Sequence, residues 1–279
     1  GYYSVLLQDY GILAEMTATE RVGVHRYTFP RDTKTGHIIL DLDYGIYNYD
    51  GKVLMANLRV EDEYTLTGYR ITRGWSRMNY THFAVKFSKP IQNYGCSNKE
   101  KVLYTGFWRK FDMTDNFPEM FGKHLTAYFD FDFSDGEPLD IQVALSPVDC
   151  RGAMKNLEAE TGGKSFDDIR NETQRKWEKE LNCIQFEADE ETKYVFYTAL
   201  YHTMINPSVY QDVDGRYRGI DHNIHQAEKG ATNYTVLSVW DTFRAQHPLM
   251  NLIKPSQSTQ FVNSMLNHYK QSVHKALPV

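Results

Sequence analysis

The chain has 279 residues, of which 41% are hydrophobic and 24% are charged, and its formal net charge at pH 7 is −5. This composition is ordinary for a soluble globular protein of one large or two smaller domains, and it lacks the basic bias of a nucleic-acid-binding protein. No apolar run approaches the roughly 20 residues that a membrane-spanning helix needs, which argues against a membrane span.

The first half of the chain predicts about ten short strands separated by turn sequences. Aromatic residues are abundant, with 20 Tyr and 15 Phe, and most of them suit strand positions. The predicted strands cover residues 2–7, 12–19, 22–29, 37–42, 54–61, 65–72, 82–87, 101–111, 124–133 and 139–145. So many short strands in about 145 residues favour an antiparallel β-sandwich.

The clearest strand pattern runs from Tyr128 to Phe133. Tyr128, Asp130 and Asp132 alternate with three phenylalanines, so a strand here has one polar and one aromatic face. We expect the phenylalanines to face the core.

The pattern becomes helical near residue 150. A short helix is predicted at 153–160, followed by a helix ending near 181 that Ser165 caps with Asp168 at its N3 position. Asp189 starts another helix that ends near 205, and a further helix covers about 256–273. We therefore predict a β-sandwich domain at 1–149, a helical linker at 150–185 and a helical domain at 186–279.

A long loop from about 208 to 234 separates two of these helices. Its acidic residues Asp212 and Asp214 resemble the start of a calcium loop, but Gly215 comes too early and Asn223 stands where a Glu is required. The pattern favours a polar turn in which carboxylates accept backbone and Arg hydrogen bonds. Asp212 and Asp214 remain weaker candidates for lining a pocket.

Another helix is predicted to begin at Trp240 or Asp241, where the pattern changes from strand-like to helical, and residues 240–249 combine groups that suit a sugar. An indole such as Trp240 stacks on a pyranose ring, while Asp241 and Arg244 can bind hydroxyl groups. Each residue also has a structural interpretation: Trp240 in the core, Asp241 as a helix cap, and Arg244 as its partner at helix spacing. His247 is a further candidate, although one structural hydrogen bond would also explain it.

Other catalytic signatures are missing from the sequence. Cys96, Cys150 and Cys183 form no CxxC motif, and they are compatible with free thiols or with one disulfide. His222 and His225 are too few to indicate a metal site. There is no phosphate-binding loop, and no pair of carboxylates stands out as the acid and base of a glycosidase.

The Trp240–Leu249 segment resembles glycoside hydrolase family 92, the calcium-dependent exo-α-mannosidases. Further segments agree in order along nearly the whole chain: residues 1–7, 15–23, 25–30, 200–203, 212–219 and 276–279. The resemblance implies a β-sandwich followed by the first helices of an (α/α)6 barrel. It implies a mannose-containing glycan as substrate, calcium as cofactor, inversion at the anomeric carbon, and a secreted or periplasmic location.

The resemblance also limits what this chain is expected to do. Both ends look like cuts through a longer protein, and the family's general acid, base and main calcium ligands are expected beyond Val279. We therefore assign no catalytic or metal-binding residue within the chain and expect the chain alone to be inactive. The residues carried over as substrate contacts are Trp240, Asp241, Arg244 and His247. The expected reaction is removal of terminal α-linked mannose, with α-1,2 the expected linkage.

Two alternatives remain open from the sequence. In the first, the sandwich is a carbohydrate-binding or scaffold module that the helices only support. In the second, the protein is another carbohydrate enzyme built from a sandwich and a helical toroid, namely a lyase or a phosphorylase.

Overall fold

The computed structural model describes residues 1–47, 49–98 and 118–277. These residues form two compact units: Tyr2–Arg170, and the chain from Asn171 onward together with Gly1. The division falls inside a helix. The three domain ranges drawn from the sequence stay a prediction.

The first unit contains eleven strands in the described part of the chain. They are β1 (Tyr2–Leu7), β2 (Ile12–Ala18), β3 (Val22–Thr28), β4 (Thr35–Asp41), β5 (Val53–Asp62), β6 (Thr65–Thr72), β7 (Asn79–Phe87), β8 (Asn93–Asn98), β9 (Glu119–Gly122), β10 (Leu125–Asp132) and β11 (Leu139–Ser146). Eight of them form one sheet in the order β1-β2-β3-β11-β7-β6-β5-β9, and three form a second in the order β4-β10-β8. All neighbours pair antiparallel.

The two sheets pack face to face around one hydrophobic core, which confirms the predicted sandwich. The alternation in β10 is as predicted: Phe129 and Phe131 are fully buried, whereas Tyr128 on the other face is 46% exposed. The Phe131 ring lies 4.9 Å from that of Phe87 on the opposing sheet. Burial of such rings supplies much of the favourable free energy of this unit.

The other face of the large sheet is covered by helices. Helix α1 (Cys150–Thr161) and the start of α2 (Phe166–Leu181) bury a second cluster that includes Val22, Ala144 and Ile169. The predicted cap of α2 is confirmed. The Ser165 hydroxyl accepts a hydrogen bond from the Asp168 amide at 3.2 Å, and the Asp168 carboxylate accepts one from the Ser165 amide at 3.0 Å.

Some strands were not predicted. β8 has the sequence Asn-Tyr-Gly-Cys-Ser-Asn, in which Asn and Gly have low strand propensity, and it pairs along β10. β9 is four residues long and pairs with β5. The strand predicted at 101–111 lies outside the described residues.

The second unit is mainly helical. Helix α3 (Glu190–Thr203) has Asp189 as its N-cap, as predicted. The Asp189 carboxylate accepts a hydrogen bond from the Thr192 amide at 2.9 Å. Three further helices follow: α4 (Val239–Thr242), α5 (Gln246–Ile253) and α6 (Pro255–Gln271). A small core joins Tyr234, Met250 and Phe261.

The long loop between α3 and α4 has more regular structure than its sequence indicates. β12 (Ser208–Val209) pairs with β15 (Tyr234–Thr235), and β13 (Arg216–Arg218) pairs with β14 (Ile224–Gln226). These strands are two or three residues long, too short to show a period-two pattern.

Candidate functional site

The segment around Trp240 forms one short helical turn. We predicted a helix starting at Trp240 or Asp241 that would continue as an inner helix of a barrel. Instead α4 begins at Val239 and ends at Thr242, and α5 starts only at Gln246. The break occurs where Ala245 has a positive φ of 67°, which a continuous helix does not allow. The segment is therefore an exposed turn between two elements.

The indole and the carboxylate of this turn are both exposed. Trp240 is 60% exposed, so the interpretation of this residue as core is wrong. The residue at the N-cap of α4 is Ser238, not Asp241. The hydroxyl of Ser238 donates a hydrogen bond to Asp241 Oδ2, which fixes the orientation of the carboxylate.

Arg244 lies on the same exposed stretch. Its guanidinium lies 5.5 Å from the centre of the Phe243 ring, and Phe243 is itself 56% exposed. Within the described part of the chain no ion pair joins Arg244 to Asp241. Trp240, Asp241 and Arg244 thus present an aromatic face, a hydrogen-bond acceptor and a charged donor from five consecutive positions.

Two residues after the turn hold it in place. His247 is half-buried; its Nε2 lies 2.7 Å from the Thr242 hydroxyl, and its ring lies 6.1 Å from that of Phe261. Gln246 donates from Nε2 to the carbonyl oxygens of Asn206 at 2.6 Å and Thr203 at 3.2 Å. The sequence did not indicate Gln246, because an isolated Gln carries no recognisable pattern.

The first part of the long loop is held by hydrogen bonds at two acidic residues. Asp212 is fully buried, and its backbone amide donates to the Arg216 carbonyl at 2.8 Å. Asp214 accepts hydrogen bonds from the Arg216 backbone amide at 3.2 Å and from Arg216 Nε at 3.0 Å. This is the hydrogen-bonded turn that the sequence favoured over a calcium loop.

A second cluster lies in the same loop. The Asp221 carboxylate is 3.0 Å from His225 Nε2, and the His225 ring stacks on Tyr217 at 5.7 Å. Burial of Asp221 acts to raise its pKa, but hydrogen bonds from His225 and Asn223 together outweigh burial and lower the pKa. Among the described residues, no group of three or more His, Cys, Asp or Glu side chains is arranged to hold a metal ion.

Two family models match the chain. The model described as the glycosyl hydrolase family 92 N-terminal domain matches residues 1–146, and the model of the family 92 catalytic domain matches residues 152–279. The two matches follow each other along almost the whole sequence. No curated protein matches the sequence significantly.

Solved structures agree with these matches. A family GH92 alpha-mannosidase from Bacteroides thetaiotaomicron is 38% identical, with a TM-score of 0.90 over 100% of this chain and 36% of that one. The same enzyme has been solved in complex with mannoimidazole, with a TM-score of 0.89. An inverting GH92 mannosidase from the same species is 25% identical, with a TM-score of 0.81 over 97% of this chain and 34% of that one. The chain therefore spans about a third of the length of these enzymes.

Proposed function

Because the chain belongs to glycosyl hydrolase family 92, we propose that it forms part of an α-mannosidase that removes terminal α-linked mannose from glycans. The observation that carries this proposal is the 38% identity to an alpha-mannosidase along the entire chain. The matches to both family models favour a hydrolase over the lyase and phosphorylase that the sequence left open.

The chemistry is proposed to need more polypeptide than this chain. An inverting glycosidase uses a general acid and a general base on opposite sides of the scissile bond, with room for water beside the base. We propose from the family resemblance that both carboxylates lie beyond Val279, and this chain covers only 36% of the solved mannosidase. The isolated 279-residue chain is then expected to lack hydrolytic activity.

The proposed role of the Trp240 turn is to bind the mannose residue. The exposed Trp240 indole can stack on the apolar face of the sugar, while Asp241 accepts hydrogen bonds from its hydroxyl groups and Arg244 donates to them. His247 is proposed to act indirectly, since its hydrogen bond with Thr242 positions the turn. Asp214, paired with Arg216, and the buried Asp212 are proposed to shape the neighbouring loop rather than to react.

Calcium, an α-1,2 linkage and inversion are finer parts of the same proposal. The inverting GH92 mannosidase supports inversion. Among the described residues no group of three or more His, Cys, Asp or Glu side chains is arranged to hold a metal ion, and the proposal assigns calcium to no residue of this chain. Calcium dependence is proposed for the intact protein from the family resemblance.

The proposal is tested with the intact protein and α-1,2-mannobiose. Proton NMR during the first minutes of hydrolysis should show β-mannose as the first product, and EDTA should abolish the activity until calcium is restored. Intact, folded protein that releases no mannose from α-1,2-, α-1,3- or α-1,6-mannobiose with calcium present would refute the proposed activity. First release of α-mannose would refute inversion alone.

The location of the protein is the last part of the proposal. Within the described residues, no helix combines the length and apolar character that crossing a bilayer requires. We propose a secreted or periplasmic location from the family resemblance, and fractionation of the source cells with an antibody against the protein tests it.

A further inference from the structure

One end of the sandwich carries two loops that are bonded to each other. They connect β4 to β5 and β6 to β7. The Arg73 amide donates to the Lys52 carbonyl at 2.9 Å, and the Tyr49 hydroxyl donates to the Arg73 carbonyl at 2.9 Å. Asp41 fixes the start of the first loop, because its carboxylate accepts hydrogen bonds from the Asp43 and Tyr44 amides at 2.8 and 3.1 Å. These bonds hold the described residues of the two loops together.

The same loops expose four aromatic side chains. Trp75 is fully exposed, Tyr47 and Tyr44 are 88% and 67% exposed, and Tyr49 is 46% exposed. Large aromatic side chains normally lose solvent contact on folding, and here the core of the unit is formed by other residues. A group of exposed aromatics on adjoining loops is typical of a binding surface rather than of core packing.

A cavity of about 180 Å³ opens beside Tyr49, one of these four aromatics. Its lining includes Asp43, Tyr49, Asp50, Lys52 and His124. His124 Nδ1 lies 2.9 Å from the Asp43 carboxylate, so both side chains are held in place. The lining therefore combines one aromatic ring with both donors and acceptors of hydrogen bonds.

The chemistry of this lining distinguishes among ligand classes. A cation held by side chains would need three or more ligands around one point, and the described residues contain no suitable group of three or more His, Cys, Asp or Glu side chains. An anion such as phosphate would meet the carboxylates of Asp43 and Asp50. A neutral sugar meets neither obstacle, since its hydroxyl groups both donate and accept and its ring has an apolar face.

We propose that this cavity and its aromatic rim form a second glycan-binding site, built from the sandwich and from none of the residues of the Trp240 turn. In this site Asp43, Asp50 and His124 bind hydroxyl groups of one pyranose ring, and Tyr49 and Trp75 contact the apolar faces of that ring and its neighbour. The identification of the sugar as mannose rests on the proposed function. The identification of a glycan rests on the residues of the site.

Affinity electrophoresis of the intact protein in gels containing mannan tests the proposal. Trp75→Ala removes a side chain that is fully exposed, so the protein should keep its melting temperature while the dissociation constant for mannan rises about fivefold. Asp43→Asn should weaken binding similarly, whereas Trp75→Phe should restore most of it. Tyr10→Ala is the matched control, because Tyr10 is 72% exposed on a turn of the same unit.

The Asp241→Asn variant separates this site from the proposed function. If both sites exist, the Asp241→Asn protein still migrates slowly in a gel that contains mannan. It loses this retardation only in the double variant that also carries Trp75→Ala. If Trp75→Ala leaves retardation unchanged while Asp241→Asn abolishes it, the second site is refuted and the proposed function stands. A change in oligomeric state with Trp75→Ala, at unchanged mannan affinity, would show that the loops contact protein and would also refute the site. The protein could instead be retarded by xylan or laminarin but not by mannan, with the retardation lost in Trp75→Ala. That result would support a glycan site and contradict mannose as its ligand.

Discussion

Replacing Gln246 with Ala should loosen the Trp240 turn without unfolding the protein. The amide of Gln246 is the donor in two hydrogen bonds, to the carbonyl oxygens of Asn206 at 2.6 Å and Thr203 at 3.2 Å. A net contribution of about 1 kcal/mol for each bond gives a loss of roughly 2 kcal/mol, and water that reaches the half-buried carbonyls reduces this to about 1–2 kcal/mol. Since 1.4 kcal/mol is a factor of ten, local opening should become about five- to thirtyfold more frequent.

Hydrogen exchange measured by mass spectrometry detects this change directly. Peptides from 239–249 should exchange about five- to thirtyfold faster in Gln246→Ala, while peptides from β10 and β11 keep the wild-type rate. Gln174→Ala is the matched control, because the hydrogen bond from Gln174 to Glu178 within α2 is exposed. Unchanged exchange at 239–249 in Gln246→Ala would show that these hydrogen bonds do not hold the turn, and the reasoning on its anchoring would fail.

Three further predictions concern the rest of the chain. Phe131→Ala should lower the free energy of unfolding by about 3–5 kcal/mol in urea titrations. Tyr128→Ala, on the outer face of the same strand, should lower it by about 1 kcal/mol. A larger loss for Tyr128→Ala than for Phe131→Ala would contradict the assigned faces. Hydrogen bonding makes the pKa of Asp221 lower in the folded state than in the unfolded state. The ionised carboxylate should therefore contribute its full stabilisation above about pH 4, and this stabilisation should disappear as the pH falls through the folded-state pKa. Asp221→Asn should remove that acid dependence and the exposed Glu228→Gln should not, as thermal melts at pH 2–6 would show. Burial raises the pKa of Cys96 to about 11, so iodoacetamide at pH 8 should label the exposed Cys183 well before Cys96 in the native protein. Both cysteines should be labelled in urea. Equal labelling rates in the native protein would contradict the burial of Cys96.

The strands and helices that could be predicted were those with strong local patterns. The alternation from Tyr128 to Phe133 determined which face of β10 is buried, and Ser165 with Asp168 determined where α2 begins, because both effects act within a few residues. β8 could not be predicted, since its pairing with β10 depends on residues about thirty positions away. The three cysteines are free thiols in the structure, a point that their number and spacing had left open.

The candidate site was only partly predictable for the same reason. The types of Trp240, Asp241 and Arg244 indicated sugar binding, and their exposure agrees with accessibility to a ligand. The bonds made by Gln246 reach the end of α3, and no local pattern records either these bonds or the positive φ of Ala245. The complete burial of Asp212 likewise follows from the folding of the whole loop and not from its acidic sequence.

The affinity of the intact protein for methyl α-mannopyranoside, compared between wild type and Asp241→Asn, tests the proposed role of the Trp240 turn most directly. Asp241→Asn keeps the shape of the side chain but removes its charge, and charge-assisted hydrogen bonds contribute about 1.5–3 kcal/mol. The account therefore predicts a dissociation constant, measured by calorimetry, that rises by a factor of roughly 10 to 150 while the melting temperature stays unchanged. Wild-type affinity in a folded Asp241→Asn protein would contradict the claim that this turn binds mannose.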